Sequence, residues 1–537
     1  MTLNVKNVPL KYGNQTLVDY TECLTDWYIS KVPDEDRKQK GQYFTPGKIS
    51  ELMIKQLQNL EKCENIKVLD PGAGLGIFES AFCDFFKLLN KKISISFDVY
   101  ENDMTVLPFL KHNMEICERE VEGSRVKISY KIVPEDFLLS NSHVYLNQEN
   151  IFGNKVEKYD FVISNPPYYK INTSSSQVQH MKHIMNGQPN IYPFFMALSA
   201  KLLKPEGQIV LLTPRSYCSG LYFKKFRNWF FEVVKPCKIH LFESRKELFK
   251  KYEVRQENII LNAVKTKKTP KKVQISVSTG IPLADKDVQV RSTNYSNIIR
   301  KNRNDIILRI PTSEVDEIIA THIDKYKDNF GSLGFKVATG KVVPFRIKRL
   351  LNNSTESSES VPLIWMQNIS ENGVLWPIDI VNKFTKIKMT KESKKILVPN
   401  KNYIFLKRFS TKEGKRRINA AVYFKKDIDA KFIGIENHVN YISKENGELT
   451  KDEAYGVVTL LNSRIYNTYF QIESGTTQVN VKEISNIPLP PIDLIKKLGN
   501  SVIKLNTNVN KIETTTKEKM VLNILNFDNE VLKDFTY

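Results

Sequence analysis

Over its first half the chain alternates short apolar runs with longer stretches in which apolar residues recur at helical spacing. Residues 66–70, 94–100, 126–133, 159–164, 208–213, 239–243 and 258–264 read as strands. Ile49, Leu52, Met53, Leu57 and Leu60 mark one amphipathic helix, and Ile77, Phe78, Phe82, Phe85 and Leu88 a second. Another helix is expected over 191–203, and residues 24–28 suggest one packed on the domain immediately downstream. Strand regularly followed by helix predicts an α/β domain of about seven strands around a mostly parallel sheet.

From about residue 266 this alternation stops. The run Lys265-Thr266-Lys267-Lys268-Thr269-Pro270-Lys271-Lys272 reads as a basic linker, and beyond it short β-like pieces mix with helices. A polar loop is expected over 352–360, and no internal repeat is visible. The expected division is an N-terminal helical extension over 1–35, a main domain over 36–270 and a mixed α/β domain over 271–537.

A length of 537 residues with 41% hydrophobic positions supports two or three cores. The formal net charge of +21 is spread along the chain and favours a polyanionic partner, most simply nucleic acid; biased composition is the competing account. Six scattered cysteines without a Cys-x-x-Cys pair indicate neither a disulfide framework nor a zinc knuckle. With no leader-like N-terminus and no membrane-length apolar run, a cytoplasmic protein is expected.

The chemistry concentrates at strand ends. The fourth strand stops at Asn165-Pro166-Pro167-Tyr168, where two prolines end the ladder and form a stiff loop. The Asn165 side-chain oxygen and the Pro166 carbonyl suit a planar base bearing an exocyclic amino group, with Tyr168 as a stacking face; a turn that merely ends a strand is the plainer reading. Phe249 is placed to close the other face of such a base, or else to fill the core. Upstream, Thr45 with Pro46 reads as the N-cap and first residue of a helix whose free N–H groups suit a carboxylate. After the first strand, Asp70-Pro71-Gly72-Ala73-Gly74-Leu75-Gly76 is a glycine-rich turn that lets a nucleotide-like ligand approach the backbone, a weak signal alone. Glu101 at the tip of the second strand is placed for a ribose diol. Asp136 and Phe137, after the third, suit an adenine amino group and ring, unless Asp136 is only a solvated turn residue.

His180 and His183 lack a third ligand at metal spacing, so no metal site is expected. Basic and aromatic residues interleave around Arg346 and Lys348, around Lys407 and Arg408, and at Lys415-Arg416-Arg417, the composition of a surface that grips phosphates, or of a solvated face over ordinary core aromatics.

Together these motifs resemble the gamma-order DNA methyltransferases that modify an amino group: the Thr45-Pro46 turn first, the Asp70-to-Gly76 loop next, then Asn-Pro-Pro-Tyr, over roughly residues 35–265. The stretches 337–346, 435–438, 461–463 and 476–480 before Ile487-Pro488-Leu489-Pro490-Pro491 are similar to the BsuBI/PstI type of restriction–modification methylases. Asp70 departs from the pattern, since many relatives carry Glu there.

The resemblance implies a seven-stranded Rossmann-like S-adenosylmethionine-dependent methyltransferase domain, followed by a mixed α/β target-recognition domain that reads double-stranded DNA, with Gln478 and Asn480 among its contacts. Thr45, Pro46, Asp70, Gly72 and Gly74 would hold the methionine part of S-adenosylmethionine, Glu101 the ribose, and Asp136 with Phe137 the adenine. The implied acceptor is the N6 amino group of a flipped-out adenine. Cytosine-N4 methylation and protein-glutamine methylation are the alternatives; a dead cofactor fold that only binds DNA is a third. Pro236-Cys237 lies too far along to serve as a cytosine-C5 nucleophile. Without a nuclease cluster, any cognate restriction endonuclease would be a separate chain, and the enzyme is expected to act as a monomer on DNA.

Overall fold

The computed structural model describes residues 4–145, 156–185, 190–244, 257–302, 304–353, 360–370, 373–379, 383–409, 416–475, 478–505 and 513–527. The chain divides into two compact units, Met1–Thr312 and Ser313–Tyr537.

Among the described residues, the first unit is built on a nine-stranded sheet of order β3-β2-β1-β4-β5-β7-β6-β8-β9. Its strands are β1 (Asn65–Asp70), β2 (Ile93–Tyr100), β3 (Val126–Val133), β4 (Tyr159–Ser164), β5 (Leu203–Pro214), β6 (Lys235–Phe242), β7 (Asn258–Val264), β8 (Lys272–Ser278) and β9 (Gln289–Asn294). β1 through β5 pair in parallel, and β7 runs antiparallel between β5 and β6. The seven expected strands are the first seven.

Helices cover both faces of the sheet, which is why its central strands are apolar on both sides. They are α1 (Leu17–Lys31), α2 (Asp34–Lys40), α3 (Gly47–Gln56), α4 (Ile77–Leu88), α5 (Leu107–Val121), α6 (Phe137–Tyr145), α7 (Ser176–Met181), α8 (Tyr192–Leu202) and α9 (Lys224–Val233). On β4, Phe161 and Ile163 face one core with Met53 of α3, Phe82 of α4 and Met114 of α5. Tyr159 and Val162 face the other, with Phe137 of α6, Met196 of α8 and Phe230 of α9. The helix expected around residues 24–28 is α1, and it packs on the domain downstream: Tyr20, Leu24 and Tyr28 are buried beside Leu75, Val106 and Phe109.

The expected boundary after residue 270 is displaced. The basic run is a short connection into β8, whose Val273, Ile275 and Val277 alternate into the core and which pairs in parallel with β6. β9 and a hairpin of Ile299–Asn302 with Asp305–Leu308 come next, before the unit ends. Period-two burial outweighs a lysine-rich flank.

The second unit contains a four-stranded sheet (Phe335–Thr339, Val439–Lys444, Tyr403–Lys407, Ala420–Tyr423) and a smaller five-stranded one. A C-terminal set of helices includes Lys451–Asn462, Arg464–Glu473 and Ile492–Lys504. The mixed α/β expectation holds for this half. No described helix is long and apolar enough to cross a membrane.

Candidate active site

The strand order reverses direction between β1 and β4, and in such sheets the crevice outside the carboxyl ends of the two strands receives the ligand. Here those ends carry the Asp70 loop and the Asn165 loop. A cavity of about 590 Å³ opens between them, lined among others by Tyr43, Gly72, Glu101, Asp136, Asn165 and Tyr169. That volume suits a nucleoside-sized ligand.

The loop after β1 is held from below. Asp70 is fully buried, and its Oδ1 accepts from the Gly72 N–H at 3.0 Å. Burial and the neighbouring Glu79 carboxylate push the Asp70 carboxyl well above its ordinary range. Gly74 and Gly76 have φ of +56° and +83°, which side-chain-bearing residues rarely adopt. At Gly72 an added Cβ would meet nothing, so this stretch of backbone faces open cavity.

Glu101 binds the same loop. Its Oε2 accepts from Gly74 N–H at 3.0 Å and its Oε1 from Asp103 N–H at 2.8 Å. Burial raises its pKa to about 7. Both oxygens keep lone pairs for a ribose diol. Asp136 caps α6 by accepting from Leu139 N–H and also accepts from Gln177 Nε2 at 2.9 Å. Phe137 lines the cavity from a nearly buried position, its ring packed against Tyr100 and Phe195.

Two parts of the expected arrangement change. α3 starts one residue later than expected, with Pro46 as its N-cap and no capping side chain. Thr45 has a different partner: its hydroxyl accepts from Asn165 Nδ2 at 3.1 Å, and the Tyr43 carbonyl accepts from the same nitrogen at 2.8 Å. Thr45 lines a small adjoining cavity together with Gly72 and Gly74. Tyr168 is the second change. Its hydroxyl lies within hydrogen-bonding reach of both Asn165 Oδ1 and the Leu212 carbonyl, to either of which its one hydrogen can go, and its ring stacks on Tyr43 at 6.2 Å and meets Tyr192 edge-on. Burial drives the phenol pKa far up. Tyr168 therefore braces Asn165 from the core side, and Tyr169 is the tyrosine on the cavity wall. Pro166 is buried and Pro167 lines the cavity.

Tyr43 and Asp103 belong to the site although no sequence motif pointed to them. Asp103 lines the cavity and accepts from Lys40, Gln42 and Thr105; against the opposing effect of burial, these bonds hold its carboxyl below the usual range. An acid two residues beyond Glu101, in the same turn, was the available signal. Phe249 lies outside the described residues, as does Lys415. Among the described residues no cluster of metal-ligating side chains occurs.

In the second unit the expected DNA contacts separate into different environments. Arg346 and Lys348 are exposed, and Lys407 and Arg416 are partly buried. Arg408 donates to the Asn437 carbonyl and to Gln478 Oε1. Asn480 caps the helix Val481–Ser485, its backbone and side-chain N–H groups both donating to Glu483. Arg417 is 2% exposed, its guanidinium over the Phe470 ring, so it belongs to the core and not to the basic face.

Comparison with known proteins gives a consistent picture. The Eco57I restriction-modification methylase family matches residues 79–249. The type II methyltransferase M.BsuBI of Bacillus subtilis is 31% identical over 493 residues, 91% of this chain and 95% of that protein. M.PstI of Providencia stuartii is 30% identical over 473 residues, 88% and 91% of the two chains. Among solved structures, the type IIL restriction–modification enzyme MmeI in complex with DNA aligns with a TM-score of 0.50 at 11% identity, covering 91% of this chain and 72% of that one. At that identity the likeness speaks for the fold.

Proposed function

Because the chain belongs to the family of type II methyltransferases that includes M.BsuBI and M.PstI, we propose that it methylates the N6 amino group of an adenine flipped out of duplex DNA. It is a DNA methyltransferase of a restriction–modification system, and S-adenosylmethionine is its cofactor.

The cavity residues fit that cofactor. Glu101 offers acceptors for the ribose diol, the bare face at Gly72 admits the ligand to the backbone, and Asp136 with Phe137 suits the adenine. Asp70 and Thr45 border the methionine side. When bound, S-adenosylmethionine supplies an electrophilic methyl group carried on a sulfonium.

The observation that carries the acceptor reading is the orientation of Asn165. Its two N–H donors are spent on the Tyr43 carbonyl and the Thr45 hydroxyl, which fixes Oδ1 as the acceptor end of the amide. With the Pro166 carbonyl it can accept both hydrogens of an exocyclic amino group, and accepting both draws that nitrogen towards a tetrahedral shape. Catalysis on this reading is positioning and electrostatics, with no side-chain nucleophile. A base inside a duplex cannot reach the cavity, so it is extruded first. The second unit reads the duplex, the enzyme acts as a monomer, and any cognate endonuclease is a separate chain.

Long-read sequencing of DNA from cells expressing this protein tests the proposal. N6-methyladenine in one sequence context is expected. N4-methylcytosine instead, or unmodified DNA alongside methylated protein, overturns it.

A further inference from the structure

Three stretches of the second unit that resembled the BsuBI/PstI methylases, but found no role in the active site, meet at one turn. Glu436 to Val439 connects the strands Phe432–Ile435 and Val439–Lys444, closed by Val439 N–H to the Glu436 carbonyl at 2.9 Å. Backbone bonds clamp it on several sides: Asn437 N–H to Val342 O, Glu436 N–H to Ile364 O, Arg408 N–H to His438 O and Gly340 N–H to Val439 O. At Gly340 a Cβ would overlap the Glu436 carbonyl, so glycine is required by the close approach. From the third stretch, Val479 N–H bonds the Arg408 carbonyl and Gln478 Oε1 receives the Arg408 guanidinium.

On this rigid turn sits a paired acid and imidazole. The Glu436 carboxylate is 1% exposed and gives both oxygens to His438: Oε2 to the backbone N–H at 3.1 Å, Oε1 to Nδ1 at 2.6 Å. The imidazole itself is half-exposed, its ring edge-on to Phe409 at 5.0 Å. With Nδ1 committed to Glu436, Nε2 is left at the opposite edge of the ring, and no described residue bonds it. The other charges facing the pair are cationic: Arg408, held on the Asn437 carbonyl, and Lys383, whose charge acts on Glu436. A carboxylate that fixes Nδ1–H makes Nε2 a directed group, and in an imidazolium that group is a charged donor. A buried acid has no evident use in a merely solvated basic face.

We propose that the Glu436–Asn437–His438 turn is a DNA-contacting point of the second unit, where the imidazolium of His438 donates from Nε2 to a backbone phosphate beside Arg408. The proposal rests on the reading of this chain as a DNA methyltransferase whose second unit binds duplex DNA. With Nδ1–H already given to Glu436, Nε2 can donate only from the doubly protonated ring, so binding through this contact takes up a proton and tightens as pH falls.

The test is fluorescence-anisotropy titration of the full-length protein with duplex DNA containing its methylated context, at pH 6.0 and 8.5 over a range of salt. For the wild type, affinity is expected to fall about tenfold more between the two pH values than for His438→Gln, the scale of one charge-assisted contact. His438→Gln should also lower the slope of log K against log salt by about 0.9, one phosphate's worth. His438→Lys should restore affinity and remove the pH dependence, which a purely structural histidine would not do. Glu436→Gln, which removes the anion holding Nδ1–H, should weaken binding at pH 6.0 and change it little at pH 8.5. Equal affinity, pH dependence and salt slope for wild type and His438→Gln overturn the proposal and leave the methyltransferase reading standing. Failure of the wild type itself to bind duplex DNA overturns both.

Discussion

The Asn165 side-chain nitrogen donates to the Tyr43 carbonyl oxygen at 2.8 Å, a bond that spans 122 residues and joins the loop before α3 to the loop after β4. A carbonyl can only accept, so this contact identifies the nitrogen end of the amide; Oδ1, within reach of the Tyr168 hydroxyl, keeps a second lone pair for the amino group of the proposed acceptor base. Removing the oxygen should therefore abolish transfer without unfolding the cavity. Asn165→Ala is expected to lower kcat at least about a hundredfold, the scale of one preorganised polar group at a reacting centre, while the dissociation constant for DNA stays the same. Thr45→Val, which removes the second acceptor for Nδ2, should lower kcat by about tenfold, roughly the worth of one hydrogen bond, and raise KM for S-adenosylmethionine by a smaller factor, since Thr45 also borders the methionine side. Single-turnover assays with both variants separate the two effects; equal loss of DNA binding and turnover would contradict this account.

With Glu101 as the proposed ribose ligand, cofactor binding should depend on pH. Burial raises its pKa to about 7, and the backbone N–H groups of Asp103 and Gly74 only partly offset this. A ribose diol donates to a carboxylate better than to a carboxylic acid, so affinity for S-adenosylmethionine should rise as pH increases through 7. Calorimetric titration at pH 6 and pH 8 is expected to show several-fold tighter binding at the higher pH. Glu101→Gln should bind more weakly at both and lose most of the difference.

The parts of this fold and site that could be read from the sequence are those determined within one element. β4 and β1 are apolar runs that end in proline or glycine, so both strands and both loops are local signals. The bonds from Asn165 to Tyr43 and Thr45 are not local, and nothing in Gln42-Tyr43-Phe44-Thr45 indicates a partner on another strand end. Tyr168 follows two prolines, which stiffen the loop without saying whether its ring points to the cavity or to Tyr43 and Tyr192. β8 was hidden by the lysines that precede it, although Val273, Ile275 and Val277 carry the alternation of a strand. Adjacent Arg416 and Arg417 look alike in composition; only packing on Phe470 separates them.

Glu79 lowers stability as pH rises from about 4.5 to about 7. It is fully buried on α4, and among the described residues neither carboxylate oxygen has a side-chain partner. Burial raises its pKa from 4.5 to about 7. An acid whose folded pKa lies above its unfolded value costs stability as pH rises, from the unfolded pKa up through the folded one, and above that the cost is constant. Glu79→Gln cannot ionise, so its stability relative to wild type should be unchanged near pH 4 and greater by about 3 kcal/mol above pH 7.5. Chemical denaturation of the cofactor-free protein across pH 4–8.5 measures this. A constant difference at all pH values would show that Glu79 does not titrate in this window.

Arg417 and Arg346 should part company when each is replaced. Arg346 is exposed on the turn Pro344–Arg346, its guanidinium over the ring of the equally exposed Phe345, so its removal touches no buried side chain. Arg346→Ala is expected to leave the melting temperature within about a degree, surface changes costing little, and to weaken DNA binding with a shallower salt dependence. Arg417 is 2% exposed, with its guanidinium over Phe470. Arg417→Ala should open a cavity beside Phe470, costing about 3 kcal/mol. At temperatures where the variant remains folded, its salt slope for DNA should match the wild type. Melting curves and binding isotherms collected on the same samples decide between the roles, since a basic residue that touches phosphate moves the second measurement and one that fills a core moves the first.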